Sequence, residues 1–212
     1  MTNQEKLRQM LVMQDEMNTI VNPDWKNAGY AWYRAVWVEL AEIMDPIFKW
    51  WKKVDPDWQQ LELEAVDIFH FGLSDMLLHS NIEEISERYS EATEVPLGER
   101  ASIGEIHAAV ESLLESTIVR KEFDMSNFMD LCDVMGITFD SLYKQYVGKN
   151  ILNRFRQSRG YQDGTYIKNW NGLEDNEVLS KILDTLTPDI DDVPGYLMSA
   201  LDSAYQEVCA TV

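Results

Sequence analysis

The chain has 212 residues, 45% hydrophobic and 26% charged, with 10 Gly and 6 Pro, enough for one domain with a substantial core and too few breakers for a disordered one. A formal charge of −19 and a pI of about 4.4 argue against non-specific binding to nucleic acid or to anionic membranes. The two cysteines, Cys132 and Cys209, have neither metal-ligand spacing nor a disulfide framework; no apolar run approaches 18 residues and no leader opens the chain, so the expectation is a soluble protein of a reducing compartment, the cytoplasm.

Strand signals are poor throughout and helical periodicity recurs, which predicts an all-α fold. The first helix runs from Thr2, as N-cap, to Ile20. Leu7, Met10, Leu11, Gln14, Met17 and Asn18 fall on or near one face, and Asn22-Pro23-Asp24 ends it. A short connection over 25–29 leads to a second helix that carries Glu39 and Glu42 and that Asp45-Pro46 interrupts near its end. Lys49-Trp50-Trp51-Lys52 follows, then Asp55-Pro56, and a third helix from Asp57 to His79 carries Glu64, Asp67 and His70. A shorter helix is expected over 81–92 and a loop over 93–98. Residues 102–122 and 124–135 read as two further helices capped by Ser102 and Asp124. Nothing chemical stands out between them, and His107 reads as a surface or packing histidine. A helix from Phe139 to Ser158 is followed by Gly160 as its C′ residue and by a loop over 161–172 dense in Gly, Asn and aromatics. Helices over 174–186 and 194–208 complete the chain. With no repeat or linker, residues 1–212 read as one all-α domain.

Two acid pairs carry the chemistry. Glu39 and Glu42, and Glu64 and Asp67, are each three residues apart, so each pair shares a helix face. Such pairs are common on solvated faces. These sit among Val36, Trp37, Leu40 and Ile43, and among Ala65, Val66, Ile68 and Phe69, where an unpaired acid is costly. If the two helices pack antiparallel, four carboxylates meet, and they need a cation; hard oxygen ligands suit Mg²⁺ or Mn²⁺.

A second charge centre lies between 144 and 170. Lys144, Lys149, Arg154, Arg156, Arg159 and Lys168 are six of the chain's 18 basic residues, opposed there only by Asp163. Lys149, Asn153 and Arg156, at i, i+4 and i+7, share one face, which suits phosphate oxygens or, equally, neutralises acids elsewhere on the surface. Gln14 and Asn18, four apart, offer amide groups to one face; with Trp51 they suit a base read by hydrogen bonds and stacking, and solvent exposure is the plainer alternative.

Four blocks of the chain resemble the dimeric, all-α dUTPases of the MazG-like NTP pyrophosphohydrolase superfamily. They are Met10-Leu-Val-Met-Gln14-Asp-Glu-Met-Asn18; Glu39-Leu-Ala-Glu42 with Lys49-Trp-Trp-Lys52; Glu64-Ala-Val-Asp67-Ile-Phe-His70-Phe71; and the long, most specific run from Gly148 through Arg156-Gln-Ser-Arg-Gly160-Tyr-Gln-Asp-Gly164 to Lys168-Asn-Trp170-Asn-Gly172-Leu-Glu174-Asp175-Asn176. Residues 81–137 carry no matching motif. The resemblance implies a homodimeric helical bundle that hydrolyses dUTP, and dUDP, to dUMP with Mg²⁺. It implies that Glu39, Glu42, Glu64 and Asp67 bind the metal, with Glu39 orienting the attacking water. It places Gln14, Asn18, Trp51 and His70 around uracil, Phe71, Tyr161 and Asn153 at the deoxyribose, and Lys149, Arg156, Lys168 and Asn176 at the phosphates. The setting it implies is a bacterial or phage-infected cytoplasm. Ala65 stands where the family pattern has Leu, and Ser158-Arg159 where it has Asp-Asn. Related phage enzymes hydrolyse dCTP as well as dUTP, so a dCTP/dUTP or broader dNTP pyrophosphohydrolase is the alternative. From other classes come a di-iron carboxylate bundle, which Asp67-x-x-His70 echoes once without a second copy, and an acidic helical binding protein, which leaves the embedded acids without a cation.

Overall fold

The computed structural model describes residues 1–48, 56–94, 100–187 and 192–209, with backbone alone for 45–48. Lys49-Trp-Trp-Lys52, and with it Trp51, lies outside the described residues, as do Asp55, residues 95–99 and Pro188. Among the described residues the chain forms nine α-helices and one minimal hairpin: α1 (Asn3–Val21), α2 (Trp32–Phe48), α3 (Trp58–His79), α4 (Ile82–Arg88), α5 (Ile103–Arg120), α6 (Met125–Met135), α7 (Phe139–Ser158), β1 (Asn169–Trp170), β2 (Leu173–Glu174), α8 (Asp175–Leu183) and α9 (Val193–Cys209). It divides into two compact units, residues 1–143 and residues 144–212.

Caps set the helix starts. Thr2 accepts the Glu5 N–H and Glu5 reaches back to the Thr2 N–H; Ser102 and Glu105 repeat this box at α5. Asp57, Asn81 and Asp124 each accept the N–H three residues on, at α3, α4 and α6, each cap contributing about 1 kcal/mol.

In the first unit α3 packs on α1 and α2, α4 on α1, and α5 on α2 and α6. Val36, Leu40 and Ile43 of α2, at i, i+4 and i+7, are fully buried, as are Leu61, Ala65, Ile68, Phe69 and Leu73 of α3 and Leu7, Met10 and Leu11 of α1. Phe128 of α6 stacks flat on Phe69, with centroids 5.0 Å apart and planes 4° from parallel. α2 and α3 are further joined by Trp32 stacked on Phe71 at 6.1 Å.

In the second unit α8 packs on α9 and on the hairpin. Gly160, at φ +83°, closes α7: the Tyr161 N–H reaches the Arg156 carbonyl at 3.1 Å and the Gly160 N–H points at Gln157, the double bond that a left-handed C′ residue permits. Phe155, Tyr166, Trp170 and Tyr205 form the aromatic centre of this unit. Gly148 of α7 lies so close to Leu183 that a Cβ would meet its methyl at 2.9 Å.

Four expectations need correction. The loop over 161–172 runs into a hairpin in which Trp170 pairs with Leu173. Asn171 and Gly172, at φ 53° and 90°, supply the two left-handed residues that a two-residue turn requires. Asp45-Pro46 does not interrupt α2, which continues to Phe48; Pro46 removes one N–H bond near the helix end, a smaller loss than in mid-helix. The helix expected over 81–92 stops at Arg88 and gives way to a 3₁₀ turn over Glu91–Thr93. The helix expected over 174–186 ends at Leu183, where the Asp184 and Thr185 N–H groups turn to the Ser180 and Ile182 carbonyls.

Candidate functional site

The packing of α2 on α3 brings Glu39, Glu64 and Asp67 together, each with one carboxylate oxygen within 4.8 Å of the others. Glu64 is buried, 6% exposed, while Glu39 and Asp67 are half-buried. Gln60, one turn before, donates its side-chain amide to Glu64. At such separations two full charges repel by about 3 kcal/mol at an effective dielectric near ~20, so three ionised carboxylates here call for a cation. All three donors are hard oxygens, which fits Mg²⁺ or Mn²⁺ and gives soft metals no ligand. Glu42, one turn along α2, is exposed and does not converge with the three. His70 is not part of the cluster either; its Nδ1 lies 2.8 Å from Gln14 Oε1. A di-iron bundle, which needs histidine beside its carboxylates, loses its one point of support.

On the inner side of α3 lies a buried polar network. Gln14 and Asn18 of α1 are 5% and 7% exposed, so the solvent-exposed alternative does not hold. Gln14 Nε2 donates to Asn18 Oδ1 and to Ser74 Oγ, both at 3.0 Å, and Asn18 Nδ2 donates to Ser74 Oγ at 3.0 Å. Ser74 is fully buried. Phe71, beside His70, is the residue stacked on Trp32.

In the second unit, Lys149 and Arg156 are buried, Asn153 and Asn176 half-buried, and Tyr161 and Lys168 exposed. Arg156 forks onto Asp175, with Nε to Oδ2 and Nη2 to Oδ1 both 2.8 Å. It also donates to Asn153 at 3.2 Å and to Asn176 at 3.3 Å, and its guanidinium lies 5.8 Å from the Tyr161 ring centre. Among the described residues these bonds engage at least four of its five N–H groups. Burial works against the guanidinium charge, but the bonds and charge of Asp175 outweigh it and raise the Arg156 pKa. Tyr166 donates to the same carboxylate at 2.7 Å, and burial followed by that neighbouring charge drives its own pKa up.

Asp175 went unread in the sequence. It lies outside the basic window, and only the fold shows that it faces Arg156. The same holds for two of the window's other cations: Arg159 pairs with Asp202, and Lys168 with Glu174 at 3.1 Å. The acids opposing this segment come from beyond it. Ser74 was also missed, although its place four residues after His70 put the two on one face of α3.

A family model described as dUTPase matches residues 6–161, well over half of the chain. The matched span contains Gln14, Asn18, the acid pairs, His70, Phe71, Lys149, Asn153, Arg156 and Tyr161, and ends before Lys168 and Asn176. No curated protein matches the chain.

Proposed function

The chain belongs to the all-α dUTPase family of the MazG-like pyrophosphohydrolases, and from that premise we propose how its side chains carry the family's reaction. The protein is an enzyme that hydrolyses dUTP to dUMP and pyrophosphate in a Mg²⁺-dependent reaction. The observation that carries the residue assignment is the convergence of Glu39, Glu64 and Asp67.

In this reading those three carboxylates would hold the cation, with Mn²⁺ as a substitute ion, and Glu42, exposed one turn along α2, would join them as a fourth ligand only by a change of side-chain rotamer. Bound there, the ion supplies Lewis acidity toward phosphoryl oxygens and lowers the pKa of water. Glu39 orients the water whose oxygen bonds to the α-phosphorus while the α–β anhydride bond breaks, so pyrophosphate leaves. Lys149, Arg156, Lys168 and Asn176 balance the charge that builds on the leaving group. Gln14, Asn18, His70 and Trp51 surround the uracil. We assign Phe71, Tyr161 and Asn153 to the deoxyribose, where aromatic side chains would give a 2′-OH no hydrogen-bond partner. dUDP is a second substrate, yielding dUMP and phosphate. No described helix is long and apolar enough to cross a membrane; we place the enzyme in the cytoplasm as a homodimer, with no nucleic-acid partner. We read residues 1–212 as one dUTPase-like domain, which a single cooperative unfolding transition tests.

The test is one panel of dUTP, dUDP, dCTP, dTTP and UTP with Mg²⁺, products resolved by chromatography. The expected outcome is dUMP and pyrophosphate from dUTP, dUMP from dUDP, and little turnover of UTP. Equal hydrolysis of all five would reduce the assignment to a broad nucleotide pyrophosphohydrolase.

A further inference from the structure

Ser74 stands at the centre of the buried network, and its proton count is decisive. A serine hydroxyl has one hydrogen and two acceptor lone pairs. The hydrogen is directed at the His70 carbonyl, 3.0 Å away and one turn back along α3, a bond that helix geometry favours. The other acceptor within reach, Asn18 Oδ1, is 3.5 Å away. With its hydrogen committed, Ser74 Oγ can only accept, and both groups aimed at it must be donors. They are Gln14 Nε2 and Asn18 Nδ2, each at 3.0 Å. Rotating either amide by half a turn would set a carbonyl oxygen against an oxygen that has no proton to give. It would also break the bond from Gln14 Nε2 to Asn18 Oδ1. One orientation of the two amides satisfies the network.

That orientation determines what Asn18 offers outward. One Nδ2 hydrogen goes to Ser74 and one Oδ1 lone pair accepts from Gln14, which leaves one donor and one acceptor in a fixed left-right order. Uracil presents N3–H as donor beside O4 as acceptor; cytosine presents N3 as acceptor beside N4–H as donor. In a fixed base pose, turning the Asn18 amide over exchanges one base for the other.

We propose that Ser74 is a positioning residue for base specificity: its hydroxyl holds the Gln14 and Asn18 amides in the one orientation that pairs with uracil and mismatches cytosine. This rests on the reading above that Asn18 faces the base, and it assigns Ser74 a role through the amides, without contact to the nucleotide. Removing the hydroxyl takes one hydrogen bond from each amide, leaving the Gln14 amide to His70, through its Oε1, and the Asn18 amide to Gln14, so both are held more loosely and the site discriminates less between the two pyrimidines.

The experiment measures kcat/KM for dUTP and for dCTP with Mg²⁺ in the wild type and in Ser74→Ala, Ser74→Cys, Ser74→Thr and Asn18→Ala. The ratio of the two constants is independent of the active fraction, so partial misfolding does not disturb it. Ser74→Ala is expected to lower the dUTP-to-dCTP ratio by about tenfold or more, since a site built on hydrogen-bond pairing rejects the wrong edge by far larger factors. The change should fall mainly on KM. Ser74→Cys keeps the bulk with a poor acceptor and should lose the ratio too, whereas Ser74→Thr keeps the hydroxyl and should retain most of it even if its melting temperature drops. A wild type that turns over both substrates equally, or Ser74→Ala and Ser74→Cys ratios within twofold of wild type, would overturn the proposal. If Asn18→Ala collapses the ratio and the Ser74 variants do not, the role of Ser74 alone fails. If Asn18→Ala also leaves the ratio intact, the assignment of the base site fails with it.

Discussion

Glu64 bears the highest cost among the three converging carboxylates, because it is 6% exposed and shares its space with Glu39 and Asp67 within 4.8 Å. A charge that is costly without a cation and useful with one leaves a double signature. Glu39→Gln, Glu64→Gln and Asp67→Asn should each lower Mg²⁺-dependent turnover by at least about a hundredfold, since even groups that only support metal ligands are worth ten- to a hundredfold. The same three variants should melt no lower than wild type in EDTA, and Glu64→Gln should melt higher, as repulsion is relieved. Glu42→Gln should also lose turnover, but its exposed charge predicts no change in melting without metal. Near-full activity in two or more of the four would show that the metal is held elsewhere. The convergence of the three carboxylates was legible in the sequence because each acid sits in an apolar run at helical spacing. Asp175 and Ser74 were not, because each takes its meaning from a partner distant in sequence: Arg156, and the amides of Gln14 and Asn18.

At the scale of elements, helix starts were the most readable feature. Thr2, Ser102 and Asp124 cap the helices that the sequence assigned to them, because an N-cap is a local bond made within four residues. The hairpin was equally local and went unread, although Asn171-Gly172 is the dipeptide that such a turn asks for; strands of two residues show no alternation to notice. What no local pattern reveals is the burial of a polar group. Asp75 faces inward from α3 and accepts the Phe123 N–H at 2.7 Å. Burial pushes its pKa up; the Phe123 bond and the positive charge of His79 oppose this, and Glu122 adds to it. A carboxyl whose pKa is higher folded than unfolded adds stability below its ordinary value of about 3.9 and loses it as pH rises through the folded value. Asp75→Asn keeps an acceptor for the Phe123 N–H and removes that loss. Its urea midpoint, relative to wild type, should therefore rise between about pH 4 and pH 7. Parallel curves for the two proteins would show that Asp75 carries its charge without penalty.

For the whole molecule, charge and apolar surface pull association in opposite directions. Each copy carries −19, so two copies repel at long range. The first unit nonetheless exposes Trp37 and Val38 on α2 and Ile118 and Val119 on α5, at 38, 41, 51 and 74%. Scattered singly, such residues need no partner; as adjacent pairs on helices that pack together, they suit the apolar centre of an interface. A standard interface removes about 800 Å² from each partner, and its hydrophobic contribution acts at contact, whereas the repulsion acts over distances that salt screens to about 8 Å at physiological ionic strength. The homodimer should therefore tighten as salt is added. Sedimentation equilibrium at micromolar concentration should give twice the chain mass of 24.6 kDa, with a dissociation constant that falls between low and physiological salt. A monomer mass under both conditions would overturn the dimer, and a dimer that weakens with salt would mean that ion pairs, which salt screens, hold the two copies together in place of apolar burial.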